Sequence, residues 1–251
     1  SDYQKGNDEK NTQEFINSLA GSFLSILFLF TILVLLITPI FIFIFAPGFY
    51  YDDSKRIIAI DLLRIMFPYL ALISLVSFAS GIQNTHEKFS IPAFTPLIFN
   101  ITLIIAAIFI APRINLPVYA LAWGVLIAGF LQLLIHIYAL KNINRLPTPK
   151  INFSHPGQIN VLKLMIPAIL AGGIVQINLL IDTIFASLLQ TGSPTWLYVS
   201  DRLIQFPMGI FAIAIGTILL PTLSKIDVAT NKKQFIHELQ KGQRFVLLIG
   251  I

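Results

Sequence analysis

The chain has 251 residues, of which 56% are hydrophobic and 12% are charged, and its formal net charge is +5. A soluble domain has about 25% charged residues, so this composition excludes an ordinary soluble protein and indicates a chain that lies in a bilayer. The basic residues form short clusters between apolar runs, which is typical of membrane loops facing anionic lipid. Membrane lipid is therefore the expected environment, and no nucleic-acid partner is expected.

Six apolar segments are long enough to span a membrane, which takes about 20 residues in a helix. They cover residues 15–46, 57–82, 93–111, 117–140, 161–189 and 195–223, and a seventh begins at 244. These lengths favour helices over barrel strands, which need only about 9–11 residues. The sequence thus predicts an all-α, multi-pass transmembrane helix bundle. Without an initiator methionine or a signal peptide, the chain is expected to be an internal piece of a longer protein.

Prolines interrupt several of these apolar segments. Because proline lacks a backbone N–H, it ends or kinks a helix. We expect such interruptions at Pro39, Pro68, Pro167, Pro207 and Pro221.

The basic residues between the spans are divided unequally, which predicts the orientation. One side carries eleven of them: Lys5, Lys10, Lys88, Lys141, Arg145, Lys150, Lys225, Lys232, Lys233, Lys241 and Arg244. The other side carries three: Lys55, Arg56 and Arg113. Because cytoplasmic loops are enriched in lysine and arginine, the first residues and the 224–243 loop are predicted to be cytoplasmic.

A short internal repeat suggests how the whole protein is built. The segments NTQEFINSL (11–19) and NKKQFIHEL (231–239) share Asn, Phe, Ile and Leu at equivalent positions. Six predicted spans separate them, and an even number gives two units the same orientation. Parallel repeats of this kind occur in transporters. We therefore predict parallel six-helix repeats, with 1–157 in an N-terminal lobe and 158–251 opening a C-terminal lobe.

The stretch LYVSDRLIQFPMG (197–209) places Asp201 and Arg202 inside an otherwise uncharged run. A charge at the centre of a membrane helix costs about 2.5–3.5 kcal/mol on insertion scales. Adjacent helical residues point about 100° apart, so the two side chains need not pair with each other. Asp182 lies as many residues before the turn at 190–194 as Arg202 lies after it, so the two reach a similar depth.

Two interpretations of these charges remain open. Asp182 or Asp201 can form a buried salt bridge with Arg202 that holds the hairpin together. Alternatively, Arg202 faces a water-filled cavity and binds an anion, since its planar fork grips phosphate bidentately. Asp182 and Asn178, one helical turn apart, can also offer oxygen ligands to a hard cation.

Other ionisable residues lie near the ends of predicted spans. Asp61, Arg64 and Lys163 are expected to extend towards the membrane interface, as amphipathic side chains do. His136 is expected to lie at the interface near the inner end of the fourth span. No membrane carboxylates paired with a histidine, no phosphate loop and no nucleophile elbow are visible. An enzyme is therefore not expected.

Three runs resemble the MviN/MurJ family of lipid II flippases, in the MOP exporter superfamily, whose fold is MATE-like. They are RIMFPYLALISLVSFASGIQNTHEKFSIPAFTPLIFN (64–100), IPAILAGGIVQINLLIDTIFASLL (166–189) and DRLIQFPMGIFAIAIGTILLPTLSK (201–225). The resemblance extends over essentially the whole chain. It implies that the chain corresponds to helices three to eight of about fourteen, plus the start of the ninth.

The resemblance also implies roles for single residues. Arg202 matches the cavity arginine that engages the pyrophosphate of lipid II, the family's cargo. Asp182 matches a position that is acidic in some members, where it serves as a sodium ligand, and asparagine in others. The implied protein is a monomeric transporter of the bacterial cytoplasmic (inner) membrane, with sodium as the candidate ion and no other cofactor. It would move undecaprenyl-pyrophosphate-linked peptidoglycan precursor to the outer leaflet for cell wall synthesis.

Two alternatives remain beside this expectation. The first keeps the superfamily and changes the cargo, giving a polysaccharide-lipid flippase or a drug/cation antiporter. The second is an intramembrane glycan-lipid enzyme, which the missing catalytic clusters disfavour.

Overall fold

A computed structural model describes residues 9–152 and 156–207, together with residues 236, 240 and 242–244. In these residues every regular element is a helix. The chain divides into two compact units, Ser1–Leu188 and Leu189–Ile251. The boundary predicted between the lobes, at 157/158, lies inside the first unit and stays a prediction.

The first unit contains eight α-helices in its described residues. They are α1 (Glu9–Leu36), α2 (Thr38–Phe45), α3 (Pro47–Tyr50), α4 (Asp53–Met66), α5 (Pro68–Thr85), α6 (Ser90–Ile105), α7 (Val118–Asn142) and α8 (Pro156–Leu188). A π-helical turn (Ala106–Ile110) and a 3-10 turn (Ala111–Arg113) continue α6. In the second unit, α9 covers Ser193–Pro207.

Four helical stretches are long and apolar enough to cross a membrane. They are Asn11–Leu36, Asp53–Thr85, Ser90–Arg113 and Val118–Asn142, and they overlap the first four predicted spans. The first ends at Leu36, whereas the predicted span continued to residue 46. The four stretches confirm the fold class of an all-α, multi-pass membrane protein. The six-helix repeat stays a prediction.

The later predicted spans are described only in part. The fifth, 161–189, lies in α8 up to the end of that helix at Leu188, and the sixth begins in α9. Three predicted parts lie outside the described residues. They are residues 208–223 of the sixth span, the second repeat segment apart from residue 236, and the seventh span beyond residue 244.

Two of the prolines predicted to interrupt helices, Pro39 and Pro68, lie at helix starts. Pro39 lies in the first turn of α2, after a break at Ile37, and Pro68 opens α5 directly after α4. The first turn tolerates proline because its N–H would have no partner inside the helix. Pro167, in contrast, lies inside α8, and Pro96 lies inside α6, where no interruption was expected.

The start of α4 is capped by Asp52. Its carboxylate accepts a hydrogen bond from the Ser54 hydroxyl at 2.7 Å and from the Lys55 backbone N–H at 3.2 Å. These bonds, the Ser54 bond first, lower the pKa of Asp52 to about 2. A carboxyl group whose pKa is lowered in the folded state stabilises the fold at pH values above its unfolded pKa. This contribution is lost as the pH falls towards 2. The cap therefore stays charged at physiological pH.

Helix α7 packs against α5 and α6 through a face of small residues. Its buried positions include Ala120, Ala122, Gly124, Val125, Ala128 and Gly129. In a bilayer, where lipid is as apolar as leucine, helices associate mainly by close packing of such small residues. The opposite face of α7 exposes large apolar side chains, among them Trp123, Phe130 and Leu134, as a lipid-facing surface requires.

The segment 146–152, which leads from α7 towards α8, docks along the first turns of α1. The Asn17 side chain accepts from the Thr148 N–H at 2.9 Å, and its carbonyl accepts from the Lys150 N–H at 3.0 Å. Gly21 permits this approach, because a Cβ there would overlap the backbone of Lys150. We call 146–152 the docked segment.

Gln158, in the first turn of α8, joins this arrangement. Its side chain is 6% exposed. The amide nitrogen lies 2.9 Å from the Ser18 hydroxyl, 3.1 Å from the Ser22 hydroxyl and 2.9 Å from the Asn152 carbonyl, and its two N–H groups are shared among these three acceptors. One side chain therefore links α1, the docked segment and α8.

We expect Gln158→Ala to destabilise the protein. The change leaves buried polar groups without their donor, which costs about 1–3 kcal/mol. Thermal unfolding of the purified full-length protein in detergent measures the effect. Asn160→Ala, at an exposed position of the same helix, is the matched control and should change stability by about 0.5 kcal/mol or less. Equal melting temperatures for the two variants would contradict the linking role.

Candidate functional site

A tight turn precedes the helix that carries Arg202. Gly192 has a φ of +105°, a backbone conformation that residues with a Cβ rarely adopt. The Ser193 N–H donates to the Gln190 carbonyl at 3.1 Å, and the Trp196 N–H donates to the Gly192 carbonyl at 2.9 Å. These bonds begin α9 and fix the position of Arg202 along it.

The Arg202 guanidinium has two partners on its own helix. Its Nη1 donates to the side-chain oxygen of Gln205 at 3.0 Å, and its central carbon lies 5.1 Å from the ring centroid of Tyr198. All three side chains are exposed within the described structure. Asp201 is half-buried and forms no ion pair with Arg202, as expected for neighbours on a helix. Arg202 is thus an exposed cation with no acidic partner among the described residues.

Asp182 and Asn178 both lie on α8, and both are exposed. The unbroken helix places them one turn apart, as the sequence predicted. In the described part of the chain, no group of three or more His, Cys, Asp or Glu side chains could hold a metal ion. Asp182 belongs to the first unit and Arg202 to the second, so their pairing stays a prediction.

The residues predicted at the span ends have different environments. Arg64 and Lys163 are exposed. Asp61 accepts a hydrogen bond from the Tyr119 hydroxyl at 3.1 Å and so joins α4 to the start of α7. His136 lies near the end of α7 with its side chain 0% exposed, so it faces neighbouring helices, and its interfacial depth stays a prediction.

His136 is the centre of a buried polar cluster formed by Gln83, Thr95, Gln132 and His136. Gln83 Nε2 lies 2.8 Å from His136 Nδ1, and Thr95 Oγ lies 2.8 Å from His136 Nε2. Gln132, one turn before His136, donates to the Thr95 carbonyl at 2.9 Å. The cluster therefore connects α5, α6 and α7 at the ends of these helices.

The hydrogen-bond partners determine the form of the His136 ring. The amide nitrogen of Gln83 can only donate, so Nδ1 accepts and the proton of a neutral ring lies on Nε2. Thr95 donates its hydroxyl to the Ile91 carbonyl at 3.0 Å and is left to accept from Nε2. Both ring nitrogens are thus hydrogen-bonded, an arrangement suited to joining helices.

The sequence contained a signal for this cluster. Gln132 and His136 are four residues apart in an apolar span, so they share one face of α7. Two polar residues on one face of a membrane helix indicate a protein-facing surface rather than a lipid-facing one. What the sequence could not indicate is which residues of α5 and α6 meet that face.

We expect His136→Leu to destabilise the full-length protein by roughly 1–3 kcal/mol, because the side chain keeps its bulk and loses both hydrogen bonds. Thermal unfolding in detergent is the measurement. Tyr138→Leu is the matched control, since Tyr138 is on the same helix and 65% exposed. If the two variants unfold at the same temperature, the cluster does not stabilise the bundle.

Comparison with known proteins identifies relatives along the whole chain. The profile of a family described as "Lipid II flippase MurJ" matches residues 1–251. A "Probable lipid II flippase MurJ" of Buchnera aphidicola subsp. Acyrthosiphon pisum is 40% identical over 250 residues, covering 100% of this chain and 49% of that protein. One from Haemophilus influenzae is 37% identical over 264 residues, covering 100% and 52%.

A solved structure agrees with these relatives. A chain titled "Lipid II flippase MurJ, inward closed conformation" superposes with a TM-score of 0.78 at 26% identity, over 99% of this chain and 50% of that one. This chain thus spans about half the length of the relatives it matches. Because the family profile matches every residue from 1 to 251, the chain belongs to the MurJ family of lipid II flippases.

Proposed function

We propose that the protein containing this chain moves lipid II, an undecaprenyl-pyrophosphate glycolipid, from the inner to the outer leaflet of the bacterial inner membrane. The observation that carries the proposal is an exposed arginine within a predicted membrane span of a chain that matches lipid II flippases throughout. The relatives' names also favour this cargo over the drug or polysaccharide-lipid cargo of other exporters.

Arg202 binds the pyrophosphate in this proposal. A guanidinium remains charged at any physiological pH and offers a planar fork of N–H donors that matches phosphate oxygens. Exposure on the helix leaves it accessible to a hydrated cavity, which lowers the cost of keeping a charge within the membrane. The cargo is a ligand that is moved and released unchanged, so the residues need to bind it and not to react with it.

Transport proceeds by alternating access of two lobes around this cationic cavity. Helix interruptions at Ile37 and Phe67 support such movement, because a break before proline can act as a hinge within a span. The positive loops place residues 83–92 and 141–157 in the cytoplasm. The protein acts as a monomer, with membrane lipid as its solvent.

Asp182 and Asn178 provide oxygen ligands for a sodium ion in a site completed by other parts of the protein. Their exposure and their spacing of one turn support this role. The alternative is that Asp182 is the counter-ion of Arg202 between two cargo molecules. The two roles differ in their dependence on sodium.

We expect Arg202→Ala to abolish complementation in cells depleted of their own lipid II flippase, with the membrane level of the variant near wild type. Arg202→Lys should also lower transport at least about tenfold, because lysine keeps the charge but lacks the bidentate fork. Growth and immunoblotting of membranes measure the two quantities.

Arg113→Ala is the control for these variants. Arg113 is an exposed arginine whose guanidinium bonds to the Phe109 carbonyl of its own helix, outside the candidate site. It should complement fully. Full activity of Arg202→Ala would contradict the cargo role. Loss of the Arg202→Ala protein from the membrane would also contradict it, if a double variant with neutral residues at Asp182 and Arg202 restored both the membrane level and the activity.

We expect Asp182→Asn to reduce the sodium stimulation of transport while the protein remains inserted, because the substitution removes a charged ligand. Proteoliposomes with and without a sodium gradient provide the measurement. Asp53→Asn, at an exposed ion pair with Arg56, is the matched control. Transport that is equally independent of sodium in the wild type and in the variant would contradict the ion site and leave the counter-ion role.

A further inference from the structure

Arg202 is held from two directions by residues of its own helix. Tyr198 lies four residues before it and Gln205 three residues after it, so all three share one face of α9. The Tyr198 ring lies beneath the guanidinium, 5.1 Å from centroid to carbon, and the Gln205 oxygen accepts from Nη1 at 3.0 Å. A ring fixes the plane of the guanidinium, and an acceptor fixes its rotation within that plane.

These contacts do not belong to a packed core. Tyr198 is 59% exposed, and Gln205 and Arg202 are exposed as well. In a packed helix an aromatic side chain is buried against neighbouring elements. Within the described residues, the Tyr198 ring instead contacts a cation on its own helix. The arrangement therefore orients a charge, and its contribution to packing in the described residues is small.

Orientation matters because arginine has a long, flexible side chain. Binding an anion with both prongs of its fork requires one orientation among many, and immobilising such a side chain lowers affinity. A guanidinium that is already stacked and hydrogen-bonded loses less conformational freedom when the anion binds. The guanidinium has about five N–H donors, and Gln205 accepts from one of them. Most of the fork therefore stays available to a ligand.

We propose that Tyr198 and Gln205 are positioning residues that hold the Arg202 fork ready for the pyrophosphate of a polyprenyl pyrophosphate. This proposal rests on the cargo role given to Arg202 above and deepens it. It assigns no contact with the ligand to either residue. The ring supplies a cation–π surface, and the amide oxygen accepts from Nη1, which leaves the other N–H groups of the guanidinium for the anion.

The affinity of the full-length protein for geranylgeranyl pyrophosphate tests the proposal, measured by calorimetry in detergent. This probe has no sugar and no peptide, so stacking of the Tyr198 ring on those parts of a cargo cannot contribute. Tyr198→Phe keeps the aromatic face and should bind within about twofold of wild type. Tyr198→Leu and Gln205→Leu should each weaken binding roughly three- to thirtyfold, with unchanged melting temperatures.

Phe206→Leu is the matched control for the loss of an aromatic ring. Phe206 is on the same helix, 71% exposed, and has no ring contact with Arg202. It should bind the probe like the wild type. Arg202→Lys should bind much more weakly than wild type, because an ammonium has no plane to orient.

The outcomes separate the positioning role from the cargo role. If Tyr198→Leu or Gln205→Leu binds the probe with wild-type affinity, the positioning role is overturned. It is also overturned if Tyr198→Phe binds the probe as weakly as Tyr198→Leu does. Wild-type affinity of Arg202→Ala overturns the cargo role itself. If Tyr198→Leu does not accumulate, Gln205→Leu decides, since it leaves the ring unchanged.

Discussion

A polar group inside a bilayer finds no water, so its partner has to come from the protein, and this constraint accounts for the hydrogen bonds of the buried side chains within the spans. Serine and threonine hydroxyls within the spans return to a carbonyl of the preceding turn, as in Ser77 to Ile73 and Thr102 to Ile98. The groups that cannot be satisfied in this way are the ones that join helices. His136 bonds to Gln83 and Thr95 on two other helices, and Asp61 bonds to Tyr119.

The same constraint makes α7 the organising helix of the first unit. Its small residues allow α5 and α6 to approach closely, and its polar pair Gln132 and His136 connects both of them. Packing between small residues is strong but has little directional preference, whereas each hydrogen bond requires one relative position of two helices. The two together define the register of the three helices more closely than either does alone.

The docked segment 146–152 extends this rigid part to α1. Its backbone bonds to Asn17, and Gln158 carries the connection on to the start of α8. Under the alternating-access transport proposed above, such a connection would transmit movement between helices, and the proline breaks would be the places where spans bend. The positions of the breaks and of the docked segment therefore suit a protein in which rigid groups of helices move relative to one another.

Much of this protein follows from local features of the sequence. The lengths of the apolar runs determine a multi-pass helical fold, since only a helix of that length satisfies its own backbone across the hydrocarbon core. Pro39 and Pro68 determine helix starts, because the restriction that they impose is local. Arg202 is conspicuous as a charge in an apolar run, and Tyr198 and Gln205 lie at helical spacings from it. The motif runs were sufficient to identify the family, which the whole-chain profile confirms.

Only the tertiary structure decided which residues far apart in the chain contact each other. The burial of His136 among other helices was not predicted, because an isolated span does not reveal which of its faces another helix covers. Nor does the polar composition of 146–152 indicate that it lies against Asn17, a contact that depends on the space left above Gly21. Helix propensity and hydropathy act within a few residues, whereas the partner of a buried polar group depends on how the whole bundle packs.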